Sequence, residues 1–402
     1  MYINKLLPMH SGGMAVNVDV IALALIFAVV LWLQSFLLCK YGFHKLNYKC
    51  EFSVAEAHEG DSIYLIEKVY NSKLLPVPWL KVDIHSSRWL DFAGTCSVIA
   101  QDNRHVTSSF ILKSYQKITR RWNLKCLKRG VFTTENVTLV SGDLLDFQVV
   151  SISVAVNACL MVYPEIVNLD ELFTPVNLLQ SDRVVNRWIV DDPFMVSGAR
   201  EYTPGDPLNR VHWPASARSG KLMVKKNEFT SQRSLTVLLN MQSQLYEYSD
   251  TINKEMAELG IKVAATLFDR ALKEGTSVRL GTNGCTTPCA RQAIFTGDAA
   301  DREHISELFK ILARLLMKNV KDFEAVLDDV LPVLVNTEVV IITAYLSKRL
   351  CEQADRLRMY GNAVSIVLLD TVYEAGATPE TAELYVLMDR KIFGAGKGAE
   401  GR

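Results

Sequence analysis

The sequence predicts an α+β chain of several domains: a membrane-crossing helix, an antiparallel β-sandwich, and then an α/β unit built on a parallel sheet. Three observations predict it. An unbroken apolar run stands near the amino terminus, period-two alternation follows to about residue 165, and short apolar strands then alternate with helical spacing. At 402 residues the chain is too long for one hydrophobic core, and length alone suggests about two to three domains.

The apolar run extends from Val20 to Leu33 and, after Gln34 and Ser35, resumes from Phe36 to Cys39. About twenty residues at 1.5 Å each give a helix of about 30 Å, the thickness of a hydrocarbon core. Residues 1–19 read as a short tail and 20–39 as the span. A cleaved signal peptide fits poorly, because the apolar stretch is too long and no small-residue cleavage site follows. Lys40, Lys45 and Lys49 follow the span, whereas Lys5 is the only lysine or arginine before it. That bias predicts a single-pass protein of the cell (inner, cytoplasmic) membrane with the bulk of the chain in the cytoplasm.

Residues 46–165 read as the β-sandwich. Ser62 to Tyr70 alternates as a strand with one buried face, and Asn71-Ser72-Lys73 turns the chain. Leu74 to Leu80 contains Pro76 and Pro78. Proline cannot donate to a ladder, so this stretch is expected to be an edge or a linker. Val106–Leu112, Tyr115–Leu124 and Val137–Val140 are further strands, at the spacing of a sandwich. The sequon Asn136-Val-Thr138 has no meaning in a cytoplasmic domain.

Residues 166–233 form a linker and a segment of unusual side-chain density. Arg200, Tyr202, Asp206, Arg210, His212, Trp213, Arg218, Lys225 and Glu228 crowd into it. Buried charge must find a partner, so such a cluster is informative. The preferred reading is structural. Asp206, after Pro204-Gly205, caps a turn; Arg210 or Arg218 pairs with Asp206 or Glu228; Trp213 enters the core with His212 as a satisfied neighbour. A second reading makes the arginines, with Lys221, Lys225 and Lys226, a docking surface anchored by the aromatics. A third is catalytic, since Asp206, His212 and Ser197 or Ser216 are the right types for a nucleophile–base–acid set. No Gly-x-Ser-x-Gly elbow frames either serine.

Residues 234–393 alternate strand and helix. Leu235–Leu239 is a strand, Thr251–Lys273 a helix with Ala265, Phe268 and Ala271 on one side, and Thr276–Leu280 the next strand. Helices within Asp301–Asp328, the strand Val339–Thr343 and the closing strand Val364–Leu369 complete a parallel sheet covered on both faces. Residues 394–402 are Gly-rich and read as a disordered tail.

Composition narrows the chemistry. Lys+Arg and Asp+Glu are both 44, so nothing draws the chain to nucleic acid. The 8 cysteines are scattered, and only Cys285 and Cys289 lie close together, so they read as free thiols in a reducing compartment rather than a zinc site. Gly394-Ala-Gly-Lys397 lacks the strand and hydroxyl residue of a phosphate-binding loop. No cofactor is expected.

The run through Gly198, Arg200, Tyr202, Gly205-Asp206, Arg210, His212-Trp213, Ala217-Arg218 and Leu222 resembles the signature of the bacterial and archaeal family catalogued as domain of unknown function 58. Glu59-Gly60-Asp61, Asn71, Pro76-Val-Pro-Trp79, Arg129-Gly130-Val-Phe132 and Ser141-Gly142-Asp143 look like its amino-terminal segment. Family members usually show two closely spaced spans. Here Lys5, His10, Gly12, Gly13 and Asp19 exclude a first one before Val20, so a shortened start or a single-span variant is expected. Members often carry a von Willebrand factor A-like domain after the signature, and the order of residues 234–393 resembles one. That resemblance implies a metal loop, Asp-x-Ser-x-Ser, after the first strand. This chain has Asn240, Gln242 and Gln244 in those places, and Thr343-Ala344-Tyr345 where a further aspartate would stand. Magnesium needs hard, charged oxygen ligands, so no metal is expected. The resemblance implies a non-catalytic, membrane-anchored adaptor or assembly scaffold working with a MoxR-type AAA+ ATPase. The alternative is a hydrolase acting on an envelope or peptide substrate through the signature segment.

Overall fold

The computed structural model describes residues 18–94, 97–100, 103–144, 148–175, 196–203, 211–227, 234–287, 292–374, 377, 379 and 382–387. Contacts divide the chain into two compact units, Met1–Val162 and Tyr163–Arg402. Of the predicted tails, residues 1–17 of the first and all of 394–402 lie outside the described residues.

The first unit opens with α1 (Val18–Tyr41). Its Ala, Leu, Val and Ile run contains no proline or glycine to interrupt the hydrogen-bond ladder. Apolar residues occupy every side, and most stay exposed, so α1 is not a core helix of this unit. It is long and apolar enough to cross a membrane. Gly42 lets the chain leave the helix, because a Cβ there would stand 2.5 Å from the Leu38 carbonyl oxygen.

Ten strands follow: β1 (Leu46–Phe52), β2 (Glu56–His58), β3 (Ser62–Asn71), β4 (Val77–Ser87), β5 (Leu90–Phe92), β6 (Ser97–Ala100), β7 (Asn103–Leu112), β8 (Lys117–Cys126), β9 (Gly130–Gly142) and β10 (Val149–Tyr163). They make a four-stranded sheet, β1-β3-β8-β5, and a six-stranded sheet, β2-β10-β9-β4-β7-β6. Both sheets contribute to one core: Leu65, Val69 and Leu124 from the first, Val82, Ile84, Val106, Leu139 and Leu160 from the second. The predicted edge or linker at Leu74–Leu80 is a correction. Pro78 lies inside β4, which runs between β9 and β7 in the interior of its sheet. The proline is tolerated because the β4–β7 register shifts between Val77 and Leu80, and the β4–β9 ladder begins only at Leu80. The missing N–H falls in an irregularity where no donor is needed.

An acidic side chain sits in that core. On β3, Glu67 is in phase with Ile63, Leu65 and Val69 and is fully buried. Its carboxylate accepts from Tyr48 Oη at 3.2 Å, Ser108 Oγ at 2.9 and 3.1 Å, and Trp122 Nε1 at 3.1 Å. Ser108 lies on β7 of the opposite sheet, so this cluster ties the two sheets together by hydrogen bonds. Burial pushes the Glu67 carboxyl up from its usual range, although the three donors and nearby Arg120 pull the other way. Burial also raises the Tyr48 phenol, and pushes the Cys50 thiol up to about 12.

The second unit contains α2 (Leu169–Leu172), β11 (Phe173–Pro175), β12 (Val196–Glu201), α3 (Trp213–Ser219), β13 (Met223–Asn227), β14 (Ser234–Leu239), α4 (Lys254–Glu274), β15 (Ser277–Thr282), β16 (Gly284–Thr286), β17 (Ile294–Phe295), α5 (Arg302–Arg314), β18 (Leu315–Asn319), α6 (Phe323–Val330), β19 (Glu338–Leu346), α7 (Lys348–Met359), β20 (Ala363–Tyr373) and β21 (Glu383–Leu387). Its main sheet runs β11-β21-β20-β19-β14-β15-β17. The five central strands are parallel, and β11 and β17 are antiparallel edges. β14 and β19 are apolar and buried almost without alternation, as strands covered on both faces must be. Leu238, Val339 and Ile341 pack with Phe323, Leu327, Leu350 and Leu357 of α6 and α7. On the other face Gly260 of α4 brings that helix close to Leu239, Ile342 and Leu369. The sheet does not close at Leu369, as the sequence suggested; β21 adds a parallel strand and β11 returns to pair with it.

Candidate functional site

The signature folds as strand, short helix and strand. β12 and β13 pair antiparallel, with Arg200 opposite Val224 and Lys225 opposite Ala199. Between them, His212 caps α3. Its Nδ1 accepts from the Ala215 N–H at 3.1 Å, and its own backbone N–H donates to the Met223 carbonyl at 2.8 Å. The Ser216 hydroxyl accepts from the Met223 N–H at 2.8 Å and donates to the His212 carbonyl at 3.1 Å. The Tyr202 N–H donates to the Leu222 carbonyl at 2.9 Å, and Gly220 ends the helix in the left-handed conformation at φ 69°. His212 and Ser216 therefore serve the backbone.

Trp213 requires a correction. The structural reading sends it to the core, yet it is 67% exposed. It occupies the first helical position, beside a cap already satisfied by backbone, and Val211 and Val224 fill the buried seam instead. Arg218 is exposed in the last turn, and Lys221 pairs with Glu201 at 2.7 Å on the surface. Asp206, Arg210 and Glu228 lie outside the described residues, so the structure neither joins nor separates them from this group.

A second constellation gathers at the carboxyl ends of the central strands. Leu239 of β14 and Thr282 of β15 stand opposite each other, which brings the following residues, Asn240 and Asn283, together. Asn283 Oδ1 accepts from the Met241 N–H at 2.8 Å. Its Nδ2 lies 3.3 Å from Asn240 Oδ1, 3.2 Å from Gln242 Oε1 and 3.2 Å from the Lys321 carbonyl. Gln242 Oε1 also accepts from the Phe323 N–H at 2.8 Å, while its Nε2 donates to the Glu247 carbonyl at 2.8 Å and to Asp322 Oδ1 at 3.2 Å. Asn240 Nδ2 donates to Thr343 Oγ1 at 3.1 Å, just past the middle of β19. Asn240, Gln242, Asn283 and Thr343 are all buried, and each satisfies the others.

Gln244 does not take part. It is exposed, and the Glu247 carboxylate organises its loop instead, accepting from the Ser243 N–H and hydroxyl at 2.7 Å each, the Gln244 N–H at 3.1 Å and the Ile252 N–H at 2.5 Å. That buried carboxylate holds Tyr246 and Ser249 at positive φ, 61° and 71°, and leaves Tyr246, Tyr248 and Ile252 in solvent. Tyr345, beneath the lattice, is pushed up to about 12, first by burial and then by the carboxylates of Glu324, Asp322 and Glu247, against its contact with Asn240. Among the described residues, no group of three or more His, Cys, Asp or Glu side chains could hold a metal. Glu247 and Asn283 are members of this constellation that reading along the sequence passes over, while Thr343 enters that reading only as standing where an aspartate would.

An apolar helix, two antiparallel sheets and an α/β unit with a hydrogen-bonded strand-end constellation define a multi-domain α+β protein. Residues 198–375 match the family described as "Protein of unknown function DUF58". This region of the chain belongs to that family. No curated protein matches the chain. Among solved structures, a non-cellulosomal cohesin from the hyperthermophilic archaeon Archaeoglobus fulgidus is similar at 12% identity and a TM-score of 0.20, over 29% of this chain and 91% of that one. A CARDB domain from Pyrococcus furiosus is similar at 14% identity and a TM-score of 0.17, over 28% and 96%. A cohesin module from Clostridium perfringens gives 11% identity and a TM-score of 0.18, over 28% and 97%. These scores are too low to describe a shared fold.

Proposed function

We propose that this chain is a membrane-anchored, non-catalytic adaptor or assembly scaffold, with α1 as its span and both units in the cytoplasm. The observation that carries the reading is Trp213. A large aromatic stands in solvent on a helix whose cap, hydroxyl and exit are all fixed by backbone hydrogen bonds. A rigid exposed tryptophan with an arginine on the same short helix has the composition of an interface hot spot. The α/β unit is proposed to be von Willebrand factor A-like. A parallel core flanked by two antiparallel edge strands supports that, as does a polar constellation at the strand ends. By family resemblance the partner is a MoxR-type AAA+ ATPase.

The hydrolase alternative would use Asp206 and His212 with Ser197 or Ser216, and of these side chains the structure describes the His212 imidazole and the Ser216 hydroxyl. Both are engaged with backbone.

A photo-crosslinking residue placed at Trp213 in cells of the native host tests the reading. The expected product is a covalent complex with a cytoplasmic ATPase. Trp213→Ala is expected to weaken that complex about thirtyfold or more without moving the melting curve, because hot-spot truncations cost about 2 kcal/mol or more. Capture of no ATPase would sink the adaptor reading. Digestion of either unit by protease added outside intact spheroplasts would sink the orientation.

A further inference from the structure

The loop before β4 carries apolar side chains that the core does not use. Leu74 is 74% exposed and Leu144, after β9, is 62% exposed. Leu144, with Leu75, Pro76 and Pro78 beside Leu74, lines an open cavity of about 370 Å³ whose other wall is α1: Val30, Leu33, Gln34, Leu37 and Leu38. Gln34 is the one polar side chain in that lining.

This arrangement is held in place. Lys73 Nζ donates to the carbonyl of Gly42, just past the end of α1, at 2.5 Å, where a cation meets the negative end of the helix. The Ser72 hydroxyl donates to the Lys45 carbonyl at 2.6 Å. Buried Asn71 donates to the Leu75 and Lys113 carbonyls at 3.0 Å each, and the Ser114 hydroxyl donates to the Leu74 carbonyl. Trp79 Nε1 donates to the Asp143 carbonyl at 3.0 Å and so steadies the approach to Leu144. The leucines are therefore presented outward by a braced loop pair.

Depth follows from helix geometry. Lys40, in the last turn of α1, marks where the helix meets charge. Val30 lies ten residues before it, about 15 Å along the axis, and Leu37 about 5 Å. A leaflet's hydrocarbon layer is about 15 Å thick. The loops that share a cavity with Val30 to Leu38 stand at acyl-chain depth, not at the headgroups. Tyr41 and Tyr115, both exposed, and Lys40 and Lys45 supply the aromatic and basic residues found at a membrane interface.

We infer that Leu74–Pro78 and Leu144 form an apolar foot that dips into the leaflet beside α1, with lipid acyl chains filling the cavity between them. The inference rests on the membrane-span reading above and goes beyond it: the span alone would leave the β-unit in water. Apolar surface continuous with a lipid-facing helix gains by the same burial that holds the helix.

The test uses the full chain reconstituted in vesicles of phosphatidylcholine and phosphatidylglycerol. A genetically encoded fluorescent residue replaces Leu74, Leu144, Leu25 or Tyr64 one at a time, and quencher is supplied as acyl-chain doxyl phosphatidylcholine. Leu25 reports the span, and exposed Tyr64 on β3 reports water. The expected result is loss of emission at Leu74 and Leu144 as at Leu25, with Tyr64 unaffected. Quenching at Leu25 while Leu74 and Leu144 behave like Tyr64 would overturn the foot and leave the span standing. Unquenched emission at Leu25 as well would overturn both.

Discussion

Asn283→Ala is expected to lower the stability of the second unit by about 3–5 kcal/mol, the largest effect of any polar substitution in the strand-end site. Truncation strands the Met241 N–H and the Lys321 carbonyl and removes a donor from Asn240 and Gln242. Each buried group left without a partner costs about 1–3 kcal/mol, and water entering the gap recovers part of the sum. In a unit of this size the melting temperature should fall by about 10 °C. Hydrogen exchange of the β14 and β19 peptides in the full, detergent-solubilised chain measures the loss locally. Magnesium should leave the wild-type transition in place, because Asn240, Gln242 and Asn283 offer neutral amide oxygens already engaged in hydrogen bonds. A cation at ten times its dissociation constant would add about 1.4 kcal/mol through mass action. A magnesium-dependent rise in protection, or an Asn283→Ala protein that exchanges like wild type, would show that the amides are not what joins these loops.

Glu67 gives the second large effect. Its folded-state pKa is raised above the ordinary 4.5, first by burial, so the neutral acid is the form that folding favours. The sign follows. Stability associated with the neutral acid is fully present below about pH 4.5, and it is lost as pH climbs through the folded-state value. Glu67→Gln keeps an acceptor for Trp122 Nε1 and can donate to the hydroxyl oxygens of Tyr48 and Ser108, so it should flatten that decline and match wild type in acid. Glu67→Ala should instead cost about 3 kcal/mol in acid, since it opens a cavity and leaves three donors unpaired, and its deficit against wild type should narrow as pH climbs because it lacks the titrating group. Thermal unfolding of the three proteins between acid and neutral pH separates the outcomes. A Gln variant that loses stability with pH as steeply as wild type would assign the decline to another group.

How much of this was legible in the sequence differs from feature to feature. α1, β14 and β19 are written in uninterrupted apolar residues, and β3 in alternation, because one-dimensional patterns report how much surface a strand or helix can bury. Glu67 was passed over although the signal was there: it falls in phase with Ile63, Leu65 and Val69, and a carboxylate at an inward position has to be either satisfied or neutral. Pro78 misled because a local rule about a missing donor says nothing about where a bulge will fall. The meeting of Asn240 with Asn283 depends on the parallel register of β14 and β15, which no window along the chain contains. Trp213 was assigned to the core on hydrophobicity, while its place at the first position of α3 decided otherwise.

The edge of the main sheet has a consequence in time. β11 pairs with β21, Phe173 opposite Leu387, so this border joins the beginning of the second unit to residues made more than two hundred positions later. At roughly 5–20 residues per second, the ribosome needs about 10–40 s to deliver the partner strand. During that interval β11 has been synthesised without its partner; β20, complete at Tyr373, then waits about 0.5–2 s for β21 at Glu383, and its backbone groups on that side are open meanwhile. The nascent unit therefore passes through a stage in which an apolar parallel strand awaits its neighbour. A chaperone acting on this protein would find its target in that waiting edge, and a chain stalled before residue 383 would keep it.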